Sequence, residues 1–331
     1  ISFMAWWELL HEAPVLWPLF LILFGITAGS FSSAAVYRLP REGMSMTQPL
    51  RSLCPACGET LTLWENLPLV GWLALRGRSR CCDKPIALGY LLHEVGLGAL
   101  FLWAGLTSWT VGLGPLAFSL FLIVLVALWI AAVIDWQHYI LPDEITLLGI
   151  PFGILASLAV PEFQMGPTLD LPWGCSWLGL HHENPAWMLA GASSILGASL
   201  SFLLLFGIRA LFSYLLGQEA LGLGDVKYLS AVGALVGPEG AAWTFLIGVA
   251  FGALLGLGNV LRMIFVVHRR RIARGRRTPL RSSCHFGWLL GRRIPFGPPL
   301  ILGTALVLAF PGSVRRFFLE TWPNLLQDWF H

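Results

Sequence analysis

Two short stretches place carboxylates where long apolar runs end. The first is Ile134-Asp135-Trp136-Gln137-His138-Tyr139-Ile140-Leu141-Pro142-Asp143, and the second is Gly222-Leu223-Gly224-Asp225. A carboxylate beside hydrocarbon is costly unless it is partnered or in use. Two that meet across a bundle suit shared-proton chemistry on water, the chemistry of aspartic peptide hydrolysis. Asp135 closes an apolar helix, whereas Gly222 and Gly224 permit a tight turn and Asp225 opens the next helix. A helix start favours negative charge and a helix end disfavours it. The expectation is therefore that Asp225 begins as the base that activates water and Asp135 as the acid facing a carbonyl, the two titrating as a unit. Asp143 follows Pro142, so it is either a cap on the next helix or a further functional carboxylate.

A second constellation is made of cysteines. Cys54-Pro55-Ala56-Cys57 is half of a zinc knuckle. The other half is irregular: Ser79-Arg80-Cys81-Cys82 offers adjacent thiols. Four clustered thiols suit a structural zinc ion that staples a domain with little core of its own. The competing reading is a set of free thiols in a reducing compartment. Cys175 and Cys284 lie outside this cluster. His181-His182-Glu183 matches no metal pattern and reads as a solvated loop.

The elements that must position these residues are membrane helices. Of the 331 residues, 56% are hydrophobic and only 12% charged, against about a quarter charged in soluble domains. Mean hydropathy is +0.72. The net charge of +3 conceals a segregation of sign. Segment 38–88 carries seven basic residues, and 267–293 carries nine arginines and no acid. Loop 161–186 carries Glu162, Asp170 and Glu183 and no Lys or Arg. That pattern sets membrane orientation and argues against a nucleic-acid partner. The arginines at 269–277 fix topology or meet anionic lipid.

Eight apolar segments are expected, at about 15–36, 86–108, 114–134, 144–160, 187–216, 226–236, 241–266 and 294–312. The sixth is short and is interrupted by Gly237-Pro238-Glu239-Gly240. The first follows Glu8 and Glu12 rather than a basic region, so it reads as a retained span and not a cleaved signal. Basic loops alone put Asp135, Asp143, Asp225 and the cysteines on the cytoplasmic side. His93 and Glu94, inside the second segment, should face the bundle. The fold class is all-α polytopic membrane protein with a small cytoplasmic cysteine-containing insertion.

These residues resemble the type IV prepilin leader peptidase/N-methyltransferase family, GxGD-type aspartic proteases. The resemblance rests on Gly29-Ser30-Phe31, Tyr37-Arg38-Leu39-Pro40, Cys54-Pro55-Ala56-Cys57-Gly58 and Glu65-Asn66-Leu67-Pro68-Leu69-Val70-Gly71-Trp72. It continues through Ile134-Asp135, Leu141-Pro142-Asp143, Gly222-Leu223-Gly224-Asp225-Val226-Lys227 and Ile294-Pro295-Phe296-Gly297-Pro298. It implies a multi-pass enzyme of the bacterial inner membrane. Such an enzyme cleaves type IV prepilins or type II secretion pseudopilins after a glycine, at the cytoplasmic face. It then methylates the new N-terminal amine with S-adenosyl-L-methionine. The family's catalytic aspartates fall on Asp135 and Asp225, with Asp143, Lys227, Gly222 and Gly224 supporting. The implied division is a first span at 1–37, a cysteine domain linked to methyl transfer at 38–88 and a peptidase domain at 89–331. In the family's second Cys-x-x-Cys, Ser79 stands where a cysteine is expected, and Cys81 is the available substitute. Alternatives are a peptidase that has lost methyl transfer, an ion-coupled transporter, and a scaffold without chemistry. The transporter is disfavoured because its acids belong at mid-span, and the scaffold because both aspartates are intact.

Overall fold

The computed structural model describes residues 13, 15–49, 51–111, 114–165, 171–219, 221–273, 295–324 and 327. The arginine-rich segment 274–293, with Cys284, lies outside the described residues, as do Glu8, Glu12 and Asp170. Among the described residues seven helices of 13 residues or more carry the fold: α1 Leu16–Arg38, α2 Leu88–Val111, α3 Pro115–His138, α4 Asp143–Ala159, α5 Ala186–Leu216, α6 Leu223–Ala273 and α7 Gly297–Ala309. No strand occurs among the described residues.

Each expected apolar segment is helical. The sixth and seventh form the two arms of α6, which bends at Gly237, whose backbone is non-helical (φ 73°, ψ 179°). Pro238 has no N–H, so the Ala234 carbonyl loses its helical donor. Side chains from neighbouring elements replace it. Ser157 Oγ (3.0 Å), Gln164 Nε2 (2.9 Å) and Ser194 Oγ all donate to Ala234 O. α4 has 17 residues, and α7 is short and bends by 105° into Pro311–Asn324. Among the described residues five helices are long and apolar enough to cross a membrane, or six if that bent pair is one span.

α3 is the keystone. One side joins Trp17, Leu21, Leu97 and Phe101 of α1 and α2 through Phe118, Phe121 and Leu125. The other side joins Leu141, Val226, Leu229 and Leu300 through Val124, Leu128 and Ala131. α5 and α6 touch backbone to backbone at Gly197 and Gly233, where a Cβ on either would overlap the other's carbonyl. Such contact lets helices pack tightly where lipid gives no hydrophobic drive. Outer faces keep large apolar side chains exposed, including Leu19, Phe20, Leu23 and Phe24 of α1. His93 and Glu94 are buried, as expected, and Trp129 Nε1 donates to His93 Nδ1 at 2.8 Å.

Residues 39–87 form a cap at one end of the bundle. It is held by two isolated antiparallel bridges, Leu53 with Thr60 and Arg78 with Pro85, and by a short helix, Val70–Ala74. Val36 of α1, Ile134 of α3, Ile145 of α4 and Met46 of the cap share one cluster. The cap and the C-terminal end of α3 therefore lie at the same end of the molecule.

Candidate active site

α3 stops because Tyr139 adopts a left-handed conformation (φ 58°) and its N–H closes onto Asp135 O at 2.9 Å. Pro142 then starts α4, leaving Leu141 between the two helices. Asp135 is buried, 5% exposed, and its Oδ2 accepts the Gly297 N–H at 2.9 Å. That donor belongs to the first residue of α7, so the carboxylate faces a helix start, where negative charge is favoured. A Cβ at Gly297 would stand 2.6 Å from Asp135 Oδ2, so only glycine lets α7 approach this closely.

Asp225 is the third residue of α6. Its carboxylate bonds back to the Gly222 N–H, half of a capping box, and lies within electrostatic reach of Asp135. Gly224 packs on Leu141, its would-be Cβ 3.3 Å from the Leu141 Cβ. The two aspartate stretches thus meet through their own backbones. Tyr228 OH and Thr304 Oγ1, 2.7 Å apart, fasten α6 to α7 one turn further in.

Asp143 does not cap α4; no side-chain cap exists there. Its carboxylate instead takes Lys227 Nζ at 2.8 and 3.0 Å. The pair clamps the start of α4 to α6 two residues beyond Asp225. Gly297 is the contact that sequence reasoning left without a role. Its signal was the Pro-Phe-Gly-Pro run, in which proline at the first helical turns announces a helix start.

The cysteine cap repeats one turn. Cys54 N donates to Glu59 O (2.8 Å) and Gly58 N to Cys54 O (2.9 Å), while Ser79 N donates to Lys84 O (2.9 Å) and Asp83 N to Ser79 O (2.8 Å). Gly58 (φ 77°) and Asp83 (φ 54°) take the same left-handed position. The repeat pairs Cys54 with Ser79 and Cys57 with Cys82, so Ser79 occupies the first ligand position of the second turn. Cys81 enters from the middle of that turn. The sulfurs of Cys54, Cys57, Cys81 and Cys82 lie within 4.8 Å of one another, an arrangement that could hold a metal ion. Tetrahedral thiolates bound at ~2.3 Å stand about 3.8 Å apart, close to the 3.9 Å between Cys54 and Cys82. Ser79 Oγ is 3.4 Å from Cys54 Sγ and 3.0 Å from Cys81 Sγ. Its hydrogen bond draws the Cys54 thiol down to about 6, whereas the Cys81 contact pushes Cys57 up to about 12. Glu65 braces both turns: it accepts Arg80 Nε at 2.9 Å and the Thr62 N–H and hydroxyl at 2.7 Å. The Arg80 bond is the largest cause holding Glu65 down at about 2.

Residues 23–108 match the Bacterial Peptidase A24 N-terminal domain, and residues 121–257 match the Type IV leader peptidase family. A prepilin leader peptidase/N-methyltransferase of Klebsiella pneumoniae is 36% identical over 245 residues, 72% of this chain and 94% of its own length. One from Aeromonas hydrophila is 30% identical over 334 residues, 94% of this chain and 97% of its own length. One from Burkholderia pseudomallei is 32% identical over 261 residues, 72% of this chain and 75% of its own. No solved structure matches the chain significantly. With an aspartate-bearing bundle, a cysteine cap and relatives of this likeness over nearly its whole length, the chain belongs to the type IV leader peptidase family.

Proposed function

We propose that this chain removes the leader of type IV prepilins or type II secretion pseudopilins after a glycine, and then methylates the new N-terminal residue with S-adenosyl-L-methionine. The observation that supports the reading is that Asp225 lies within electrostatic reach of the buried Asp135 at one end of a membrane bundle. One aspartate of the pair takes a proton from water while the other gives one to the scissile carbonyl oxygen; Asp135 faces the start of α7 as Asp225 sits at the start of α6, so the helix-end distinction expected from the sequence does not rank them. The resulting diol collapses, the C–N bond breaks, the leaving nitrogen takes its proton from the first aspartate, and the second recovers its own. Gly297 N–H holds the Asp135 carboxylate in place, and Gly222 N–H holds that of Asp225. Asp143 and Lys227 keep the two loops in register.

The same reading divides the chain into a first span at 1–37, a methyl-transfer domain at 38–88 and a peptidase domain at 89–331. Zinc bound by Cys54, Cys57, Cys81 and Cys82 supplies a structural cross-link between the two repeated turns. The membrane is the bacterial inner membrane, with the site facing the cytoplasm, as the basic loops favour.

The test is to incubate the detergent-purified chain with a synthetic prepilin and methyl-labelled S-adenosylmethionine, following leader loss and methyl incorporation separately. Asp135→Asn and Asp225→Asn should each lower cleavage at least ~100-fold, the usual contribution of acid–base groups. Methylation of a pre-cleaved pilin should survive both. Unimpaired cleavage in either variant would end the dyad reading.

A further inference from the structure

A cavity of about 630 Å³ lies between the end of α1, the start of α2 and the cysteine cap. Ligand sites typically enclose ~300–1,000 Å³. Ser30, Ala34 and Tyr37 line it from α1, Tyr90 and Glu94 from α2, and Trp72 from the cap. Glu94 is 7% exposed. Its Oε2 accepts the Leu69 N–H at 2.7 Å, and the Ser30 hydroxyl also donates to the carboxylate. Both donors are neutral. Arg38, Arg80 and Lys84 also line the cavity, but among the described residues none forms an ion pair with Glu94: Arg80 is taken by Glu65, the other carboxylate on the wall, and Arg38 donates to the Ser45 and Met46 carbonyls. A carboxylate can accept about four hydrogen bonds, so capacity remains on the side facing the cavity. A buried charge lacking a counter-charge is costly and is retained where a ligand completes it.

The reaction proposed above requires such a place, because both of its partners are cations. The methyl donor carries a sulfonium, and the new N-terminus is an ammonium with a pKa of about 7.7–8 before attack. Aromatic faces such as those of Tyr90 and Trp72 also suit a sulfonium, whereas the Tyr37 ring already carries the Arg41 guanidinium 3.8 Å from its centroid.

We propose that this cavity is the methyl-transfer site, and that Glu94 receives the proton the N-terminal ammonium must lose. This rests on the reading above and locates its second half. The freed amine lone pair forms the N–C bond as the C–S bond breaks. The breaking pair stays on sulfur, leaving a neutral thioether, and nitrogen ends as the methylammonium.

Glu94→Gln is the discriminating variant, because its amide oxygen still accepts the Leu69 N–H. In detergent at neutral pH it should cleave prepilin within twofold of wild type and methylate pre-cleaved pilin at least 100-fold more slowly. Residual methylation should rise with pH as free amine accumulates, and Glu94→Asp should recover part of the loss. Ala34→Trp, which fills the cavity from α1, should likewise spare cleavage and weaken donor binding. Ultraviolet cross-linking of labelled S-adenosylmethionine to the wild-type chain should mark peptides within 30–37, 72 or 90–94. Normal methylation by Glu94→Gln, or label confined to α5 and α6, would overturn the inference while leaving bifunctional activity standing. A wild-type chain that cleaves without methylating would instead defeat the methyl-transfer half of the proposed function. Should Glu94→Gln lose cleavage as well, the cross-linking map of the wild-type chain decides.

Discussion

At the residue scale, the site depends on what glycine leaves out. Gly297 brings a backbone N–H against Asp135, and any Cβ there would strike the carboxylate. Gly297→Ala should therefore keep the helical circular dichroism of wild type but lower prepilin cleavage at least tenfold, mostly in kcat, because the carboxylate must rotate off its donor. Ser79 is the other informative residue. If the repeated turns set the ligand positions, Ser79→Cys should restore metal retention to a Cys81→Ser chain. Zinc measured by mass spectrometry after dialysis should be about one ion per chain in the double variant and well below one in Cys81→Ser alone. Equal loss from both would show that Ser79 does not occupy a ligand position. Asp143 and Lys227, with Asp143 well exposed, make a pair of the kind that adds only about 0–1 kcal/mol to stability. Their value lies in loop register.

At the element scale, close approach between helices does what lipid-facing apolar surface cannot. Apolar side chains gain little by leaving lipid for a helix interface, so shape decides association. Gly197 and Gly233 meet across α5 and α6 with no space for a side chain. Gly197→Leu should destabilise the bundle by about 3 kcal/mol or more, the upper end of overpacking costs. Thermal unfolding in detergent would show a lower midpoint, and an unchanged midpoint would refute backbone contact. The bend in α6 belongs to the same scale. Gly237-Pro238 interrupts the helix in the sequence, but the donors that replace the missing N–H come from Ser157, Gln164 and Ser194 on other elements. The motif announces the break, and nothing local to it identifies those three residues. The break itself falls where the sequence announces it, at Gly237 between the sixth and seventh segments.

At the scale of the whole molecule, a membrane bundle and a polar cap share one end, and their stabilities answer to different conditions. The bundle depends on apolar packing, the cap on ionic and thiol contacts. Glu65 is held near 2, below the ordinary glutamate value, chiefly by Arg80. A depressed carboxylate stabilises the folded cap fully above its unfolded pKa of about 4.3. That stability is lost as pH falls through the interval toward 2. Glu65→Gln should flatten this acid dependence, measured as protease resistance of segment 39–87 from pH 6 to pH 3, and leave the bundle helices untouched. An acid profile identical to wild type would remove Glu65 as the brace.

Much of this architecture was legible in the residues themselves. Apolar runs of span length have few alternatives to helix in a bilayer, because every backbone group must be satisfied within the segment. Asymmetric arginine placement also orients the loops without any reference to packing. The two aspartates could be singled out because a charge beside hydrocarbon stands out in one dimension. What the tertiary structure alone decided was partnership. Gly297 lies 162 residues from Asp135, Lys227 lies 84 from Asp143, and Leu69 lies 25 from Glu94. A hydrogen bond is set by a few tenths of an ångström and a direction. Those depend on how the helices cross and how closely glycine lets them approach, which sequence periodicity does not encode.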